Sequence, residues 1–513
     1  MALDGTSFAP RRAAPLGRVP GDEGSLFGRK TAFLMALARQ GYPVPAGVAW
    51  TVAEVRDWRT GRATIDPAPA LAFLRREDDP GDAPLLVSVR GGAASSMPGM
   101  LATVLNVGLT RARLPALATW ASPLDDEAGR RFAWDCYRRL LASLLDDSFE
   151  AAANLADLIA QTEDLERETR ARLGTRAEAV LTDPEAQLTY AMTLVAQSWD
   201  APRVQAFRRA QDPNAPAGTA LTIQRMVFGN LPGDSLAGVA YSRDPLTGEQ
   251  GLYGEYLPHV QGSDLAQGIV NPRPLRSGQG GQAADDLALS STHPVLFERL
   301  GEMVAHLEAT WADLMEIEFT LQRGVLFILQ VRPAKRAAQA ARQVAVDLHR
   351  QGIIDRARAL VLAGPLEGAR RIAVIPDDQV LGQGLAACAG VARGPIVIDV
   401  ARTAPDSILV RQETSPKDMK GIATASGLIT ARGGAASHAA AAARALGKPC
   451  VCNVDNLVID EAAGRVSFGE TILRLGDIIT VDGHRGIVAQ GHLDIIEEGD
   501  KAMEILRSWQ GTS

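Results

Sequence analysis

The residue with the plainest capacity for chemistry is His438, set in the stretch Gly421 to Val451, GIATASGLITARGGAASHAAAAARALGKPCV. A glycine-bearing turn, Arg432-Gly433-Gly434, precedes it, and a run of helix formers, Ala439 to Leu446, follows. Alanine has the best helix propensity and paired glycines break what comes before, so the pattern predicts a helix beginning close to His438. An imidazole there stands beside free N–H groups that favour negative charge. Its unperturbed pKa of about 6.5 leaves much of it neutral near pH 7, and a neutral imidazole can attack phosphorus. The anionic phosphohistidine would be held by the same helix end, which makes the stretch a candidate phosphoryl carrier. On these residues alone, a helix cap or a solvated side chain is the competing reading.

Three further clusters could handle phosphate or metal. Gly24-Ser25-Leu26-Phe27-Gly28-Arg29-Lys30-Thr31 imitates a P-loop, but that motif needs four residues between its glycines and Lys directly after the second. The P-loop reading fails, and Lys30 is left as a point charge for phosphate. Arg90 ends the apolar run Leu85-Leu86-Val87-Ser88-Val89, and the small residues Gly91 to Ser96 after it let backbone approach phosphate closely. A surface loop with an incidental arginine is the alternative. In Glu316-Ile317-Glu318-Phe319-Thr320, strand alternation puts Glu316 and Glu318 on one face, and a hairpin partner, Val325 to Gln330, brings Gln330 near. Two carboxylates and an amide oxygen suit Mg²⁺, which also takes waters and substrate phosphates. An edge strand with a solvated acidic face is the other reading.

The elements that must position these residues follow from periodicity and breakers. Lys30 to Gln40 has helical apolar spacing and stops at Gly41 and Pro43. The chain is mostly helical from about 125 to 210, with strands returning at Ala220 to Gln224 and Gly238 to Ser242. Ser277-Gly278-Gln279-Gly280-Gly281-Gln282 reads as a mobile loop. A helical connector is expected from about Ala337 to Ala363, and strands resume at Arg371 and close the chain near Asp477 to Val488. No internal repeat is visible. The fold class is α/β (α+β), with a compact carrier domain after a helical hinge.

At 513 residues the chain has room for two or three domains. Its composition, 46% hydrophobic and 22% charged, is that of an ordinary globular protein. A net charge of −7 argues against a nucleic-acid partner. The absence of a run of about 18 uncharged apolar residues argues against a membrane span. The N-terminal residues 1–24 lack an apolar segment and read as a loose leader rather than a signal peptide. Cys136, Cys388, Cys450 and Cys452 lack zinc-ligand spacing and are read as reduced, which points to a cytoplasmic protein.

Resemblance joins these clusters. Glu413-Thr414-Ser415-Pro416-Lys417-Asp418-Met419, Gly434-Ala435-Ala436-Ser437-His438-Ala439-Ala440 and Ala443-Arg444-Ala445-Leu446-Gly447-Lys448-Pro449 resemble the phosphohistidine domain of the pyruvate phosphate dikinase family, and less closely that of phosphoenolpyruvate synthase. Gly28-Arg29-Lys30, Ser88-Val89-Arg90, Met97-Pro98-Gly99-Met100 and Gln224 to Asn230 are similar to the family's ATP-grasp half. Arg243 to Glu249, Tyr253 to Leu257 and Ile317-Glu318-Phe319-Thr320 continue that likeness in matching order. The resemblance runs from about 25 to 495.

It implies an ATP-grasp domain over 25–336 with a helical subdomain near 110–210. A helical linker over 337–370, a swivelling phosphohistidine domain over 371–500 and a tail over 501–513 would follow. It implies that Lys30 and Arg90 grip the phosphates of the substrate ATP, and that Glu316, Glu318 and Gln330 hold Mg²⁺ and nucleotide with Arg332 beside them. His438 is the implied carrier, with phosphate as co-substrate and release of AMP and pyrophosphate. Pyruvate or a related molecule is the implied acceptor, with phosphoenolpyruvate as the phosphorylated product of pyruvate. The family's C-terminal barrel has no counterpart in these residues, so a barrel-containing partner protein is expected to present the acceptor. A phosphotransferase for another small molecule, and a phospho-carrier serving a partner protein, are the alternatives. Three positions depart from the family: Ala436 for its usual Thr, Gly91 for Ser and Glu316 for Asp. With no hydroxyl at Ala436, the regulatory phosphorylation of plant-type relatives is not expected there.

Overall fold

The computed structural model describes residues 14–16, 26–76, 84–93, 101–146, 152–202, 204–205, 208, 218–267, 271–277, 286–366, 370–414, 418–434 and 437–510. Most of the expected leader, Met97 to Met100, Gly278 to Gln282, Ser415 to Lys417, Ala435 and Ala436 lie outside them. The architecture is mixed α/β. The chain divides into two compact units, Met1–Ser235 with Thr320–Val331, and Leu236–Phe319 with Arg332–Ser513.

The first unit is built on an antiparallel sheet ordered Ala14–Pro15, Gly47–Trp50, Ala220–Arg225, Val87–Gly92, Thr103–Val107. Strand alternation gives it two unlike faces. Val48, Val87, Val89, Val104, Leu221 and Ile223 enter one apolar core with the helices Leu114–Ala121, Asp126–Leu145 and Pro184–Ser198. The opposite face carries Ser88, Arg90, Thr222 and Gln224, and Arg90 lies in register with Thr222. The strand runs on past Arg90, where the sequence suggested an end, because Gly91 and Gly92 still pair with Leu221 and Ala220.

The hairpin Met315–Gln322 and Val325–Pro333 turns at Arg323 and Gly324, both at positive φ (48° and 78°). That is the conformation expected of a two-residue turn matching strand twist. Its tip is fastened within the first unit. Phe228 N–H donates to Gln322 Oε1 at 2.8 Å, and Ile328 N–H to Pro43 O at 2.8 Å. Arg323 lies over the Trp120 ring, 5.0 Å from its centroid, and donates to Ala121 O at 2.7 Å.

In the second unit Leu236–Arg243 is buried along its whole length, between Gln250–Pro258 and Met315–Gln322. Helix Pro294–Trp311 packs on it and on Gln250–Pro258. Buried Arg243 bridges Glu308 at 2.8 Å and Asp347 at 2.7 Å, tying this strand to helices Pro294–Trp311 and Ala338–Arg350. The expected connector is two helices, Ala338–Arg350 and Arg356–Ala363, broken at Gly352 with φ 73°.

The remainder forms an eight-stranded sheet ordered Val380–Gln383, Ile487–Gln490, Ile478–Asp482, Val391–Val397, Ile408–Arg411, Gly427–Thr430, Cys450–Cys452, Leu385–Cys388. Val391–Val397 through Cys450–Cys452 run parallel. Helices Met419–Thr424 and His438–Leu446 help cover one face, and the small sheet Leu457–Asp460, Arg465–Phe468, Thr471–Arg474 contributes to the other. The chain enters and leaves through one ribbon, because Arg370–Ala373 pairs antiparallel with Ile495–Glu498. Past the ribbon, helix Lys501–Gln510 returns to Ala338–Arg350. Arg342 pairs with Asp500 at 2.6 Å, and Met503 and Leu506 join the core of Val344 and Leu348.

Candidate functional site

Helix His438–Leu446 starts at the histidine, as its alanine run predicts. Ser437 is the N-cap and its hydroxyl accepts from Ala440 N–H at 3.3 Å. The helix leaves the parallel strand Gly427–Thr430 and returns as Cys450–Cys452, so His438 stands beyond the carboxyl end of a strand, where α/β sheets place ligands. The imidazole is half-buried, and its Nδ1 lies 3.3 Å from Thr414 Oγ1. Burial pushes its pKa below 6.5, while the Asp418 carboxylate pulls the other way. Asp418 is itself buried and 3.6 Å from Arg411 Nε.

The turn before the helix packs against another part of the same unit. Gly433 N–H donates to Asn271 Oδ1 at 3.4 Å. A Cβ on Gly434 would stand 2.0 Å from Glu255 Oε2 and 2.4 Å from Pro272 Cγ. Only glycine fits that approach. Glu255 is buried on Gln250–Pro258, opposite Val239 of the neighbouring strand. Two residues further along that neighbour, Tyr241 is fully buried. Its hydroxyl pKa is raised by burial and then by Glu316, while Arg444 of the histidine helix lowers it. Burial works against charge on Arg444, but Tyr241, Glu316, Cys388 and Cys452 together raise its pKa. The carrier helix and the strand face bearing Tyr241, Glu255 and Glu316 thus form one electrostatic neighbourhood.

Glu316 is buried, and its Oε1 accepts from Arg332 Nε at 2.9 Å and Nη2 at 2.5 Å. Burial works against charge on Arg332, but Glu316 and then Glu318 raise its pKa. Glu318 is the more exposed of the two carboxylates. Among the described residues no three His, Cys, Asp or Glu groups converge as a metal cage. Glu316 and Glu318, on one strand, are hard oxygen donors of the kind that Mg²⁺ takes beside waters and substrate phosphates.

Lys30, Arg90 and Gln330 belong to the first unit, and Glu316, Glu318, Arg332 and His438 to the second. Lys30 lies in the first turn of helix Arg29–Arg39. Arg29 N–H donates to Ala93 O at 3.0 Å, and Thr31 Oγ1 meets Thr222 Oγ1 at 2.9 Å, opposite Arg90. Gly28, at φ 77°, permits this seating, since a Cβ there would lie 2.7 Å from Gly92 C. Arg90 Nη1 donates to Leu329 O at 3.4 Å, beside buried Gln330.

Thr414, Asp418, Glu255 and Arg444 lie within the sequence motifs without a role assigned from sequence, and Asn271 lies outside every motif. Only the pairing of Ile408–Arg411 with Gly427–Thr430 brings the loops after both strands, and so Thr414 and His438, together. The cysteines expected to be reduced are buried free thiols. Cys450 and Cys452 Sγ are 3.6 Å apart beneath the N-cap Ser437, whose Oγ is 3.9 Å from Cys452 Sγ.

Residues 70–293 match the family model for the pyruvate phosphate dikinase AMP/ATP-binding domain, and 403–486 that for the mobile domain of PEP-utilising enzymes. Pyruvate, phosphate dikinase of Rhizobium meliloti (strain 1021) is 33% identical over 92% of this chain and 56% of its own length. The Rickettsia conorii (strain ATCC VR-613 / Malish 7) protein of that name is 36% identical over 81% of the chain and 49% of its own. The chloroplastic one of Flaveria pringlei is 34% identical over 92% and 52%. The chain spans about half the length of the curated relatives it matches. It belongs to the pyruvate, phosphate dikinase family.

Proposed function

We propose that this chain is a dikinase-like phosphotransferase in which ATP phosphorylates His438 and the phosphohistidine carries the group to pyruvate or a related acceptor. The observation that carries the reading is the seating of the Gly433–Gly434 turn on Asn271 and Glu255. It holds the histidine helix against the strand face of Tyr241 and Glu316.

Thr414 fixes the regiochemistry. With Nδ1–H donating to Thr414 Oγ1, the Nε2 lone pair is free to attack the β-phosphorus of ATP; the N–P bond forms as the P–O bond to AMP breaks, and inorganic phosphate then takes the terminal phosphoryl group away as pyrophosphate, leaving phosphohistidine. The burial that lowers the imidazole pKa keeps the nucleophile neutral. Lys30 and Arg90 are the cations assigned to nucleotide phosphate, with Arg332 beside the carboxylates. Glu316, Glu318 and Gln330 would hold Mg²⁺, which when bound neutralises phosphate charge.

The acceptor step requires the Gly433–Gly434 turn, and His438 with it, to leave Asn271 and Glu255. The paired strands Arg370–Ala373 and Ile495–Glu498 give the carrier a two-stranded tether about which a hinge rotation is feasible. Pyruvate is proposed as acceptor because the relatives are named for it, at a site on a barrel-containing partner. The test separates nucleotide products with and without phosphate, and then adds pyruvate. AMP formation that requires phosphate, with phosphoenolpyruvate appearing only when a barrel-containing relative with its own carrier histidine removed is supplied in trans, supports the reading. ADP as the product, or robust phosphoenolpyruvate synthesis by the chain alone, contradicts it.

A further inference from the structure

A cavity of about 490 Å³ opens in the first unit on the sheet face opposite Ser88 and Arg90. Its floor is a row of cross-strand neighbours, with Val87 paired to Val107 on one side and to Arg225 on the other. Both valines are buried, so the floor is apolar, and Leu71 and Leu188 continue it up the walls. Arg225 donates Nη1 to Leu74 O at 3.4 Å. Arg75 and Arg113 line the cavity and are exposed. Arg113 donates Nη1 to Gly108 O at 2.9 Å, and neither it nor Arg75 has a carboxylate partner among the described residues. Three guanidinium groups face one lining carboxylate, Glu185. The first turn of helix Pro184–Ser198, capped by Asp183, forms part of the wall.

We propose that this cavity binds a small organic anion, a carboxylate or phosphate carried on an apolar body, at a site separate from the nucleotide residues. Its volume is that of small-molecule pockets, which run from about 300 to 1,000 Å³. Arginine forks match carboxylate and phosphate oxygens, and a floor of valine and leucine calls for an apolar body rather than inorganic phosphate alone.

The test uses the full chain and 8-anilinonaphthalene-1-sulfonate, a fluorescent anion with an apolar body. Two variants challenge the site. Arg75→Gln with Arg113→Gln removes the two exposed charges, and Ala116→Trp, at an exposed lining position, fills the space; thermal melts check that both remain folded. The expected result is one saturable site whose Kd rises roughly tenfold or more in the double variant, as loss of charge-assisted hydrogen bonds implies. Binding is abolished in Ala116→Trp and undisturbed by saturating ATP. An unchanged Kd in both variants, no saturable site, or displacement by ATP would overturn the proposal. None of these outcomes depends on whether His438 is phosphorylated.

Discussion

At the scale of the residue, His438 is governed by two neighbours that were not assigned roles from the sequence. Thr414 engages Nδ1, and Asp418 opposes the burial that depresses the pKa. Replacing Thr414 with Val removes the hydrogen-bond partner of Nδ1, and the rate of His438 phosphorylation is expected to fall by roughly tenfold, the lower end of what an orienting hydrogen bond contributes. The melting temperature should hardly change. A rate equal to that of the parent would remove Thr414 from the account. Asp418→Asn takes away the influence that raises the pKa, so the imidazole should titrate at still lower pH, as followed by its ring-proton NMR signal. The sign for stability follows from linkage. The folded pKa lies below 6.5, so the unfolded chain takes up the proton first as pH falls. The histidine's contribution then erodes from about pH 6.5 down to the folded pKa and levels off below it. A titration shifted upward in Asp418→Asn would contradict the assignment.

At the scale of the element, local signals in the sequence went a long way. The alanine run and paired glycines place the helix start at His438, and Arg323-Gly324 places the hairpin turn, because propensity and positive φ are properties of a few adjacent residues. The pairing of Arg370–Ala373 with Ile495–Glu498, and the meeting of Gly434 with Glu255, join residues more than a hundred positions apart and leave no periodic trace. Gly434 read as a turn residue, yet its φ is not positive and its requirement is space. Gly434→Ala should therefore slow phosphorylation of His438 at least roughly tenfold, since a Cβ cannot occupy the seat. The same change made in a Glu255→Gly background should cost less, because the carboxylate clash is gone while that with Pro272 Cγ remains. Additive effects in this cycle would mean that the seat does not matter.

At the scale of the whole molecule, the chain combines a region matching the dikinase AMP/ATP-binding domain with one matching the mobile domain of PEP-utilising enzymes, and the proposed function hands a phosphoryl group from one to the other. The fold class and both domain types were legible because many motifs recur in order along the chain. The division into two units was not, since the tip of one hairpin belongs to the first unit and its base to the second. Glu318 sits on that hairpin, and Glu318→Ala is expected to lower Mg²⁺-dependent phosphorylation by far more than any loss of stability explains, because a hard ligand is removed from metal and phosphate together. Raising Mg²⁺ should recover part of the rate. A variant that phosphorylates His438 at the parental rate would remove the hairpin from the metal site.

The central claim is tested most directly by the covalent state of the chain after incubation with ATP, Mg²⁺ and inorganic phosphate. Intact mass spectrometry should show a single added phosphoryl group, stable in base, lost in acid and mapped to His438. It should be absent from His438→Ala, while that variant still binds nucleotide. No added phosphoryl group on the parent chain, or an acid-labile one that persists in His438→Ala, would contradict the account.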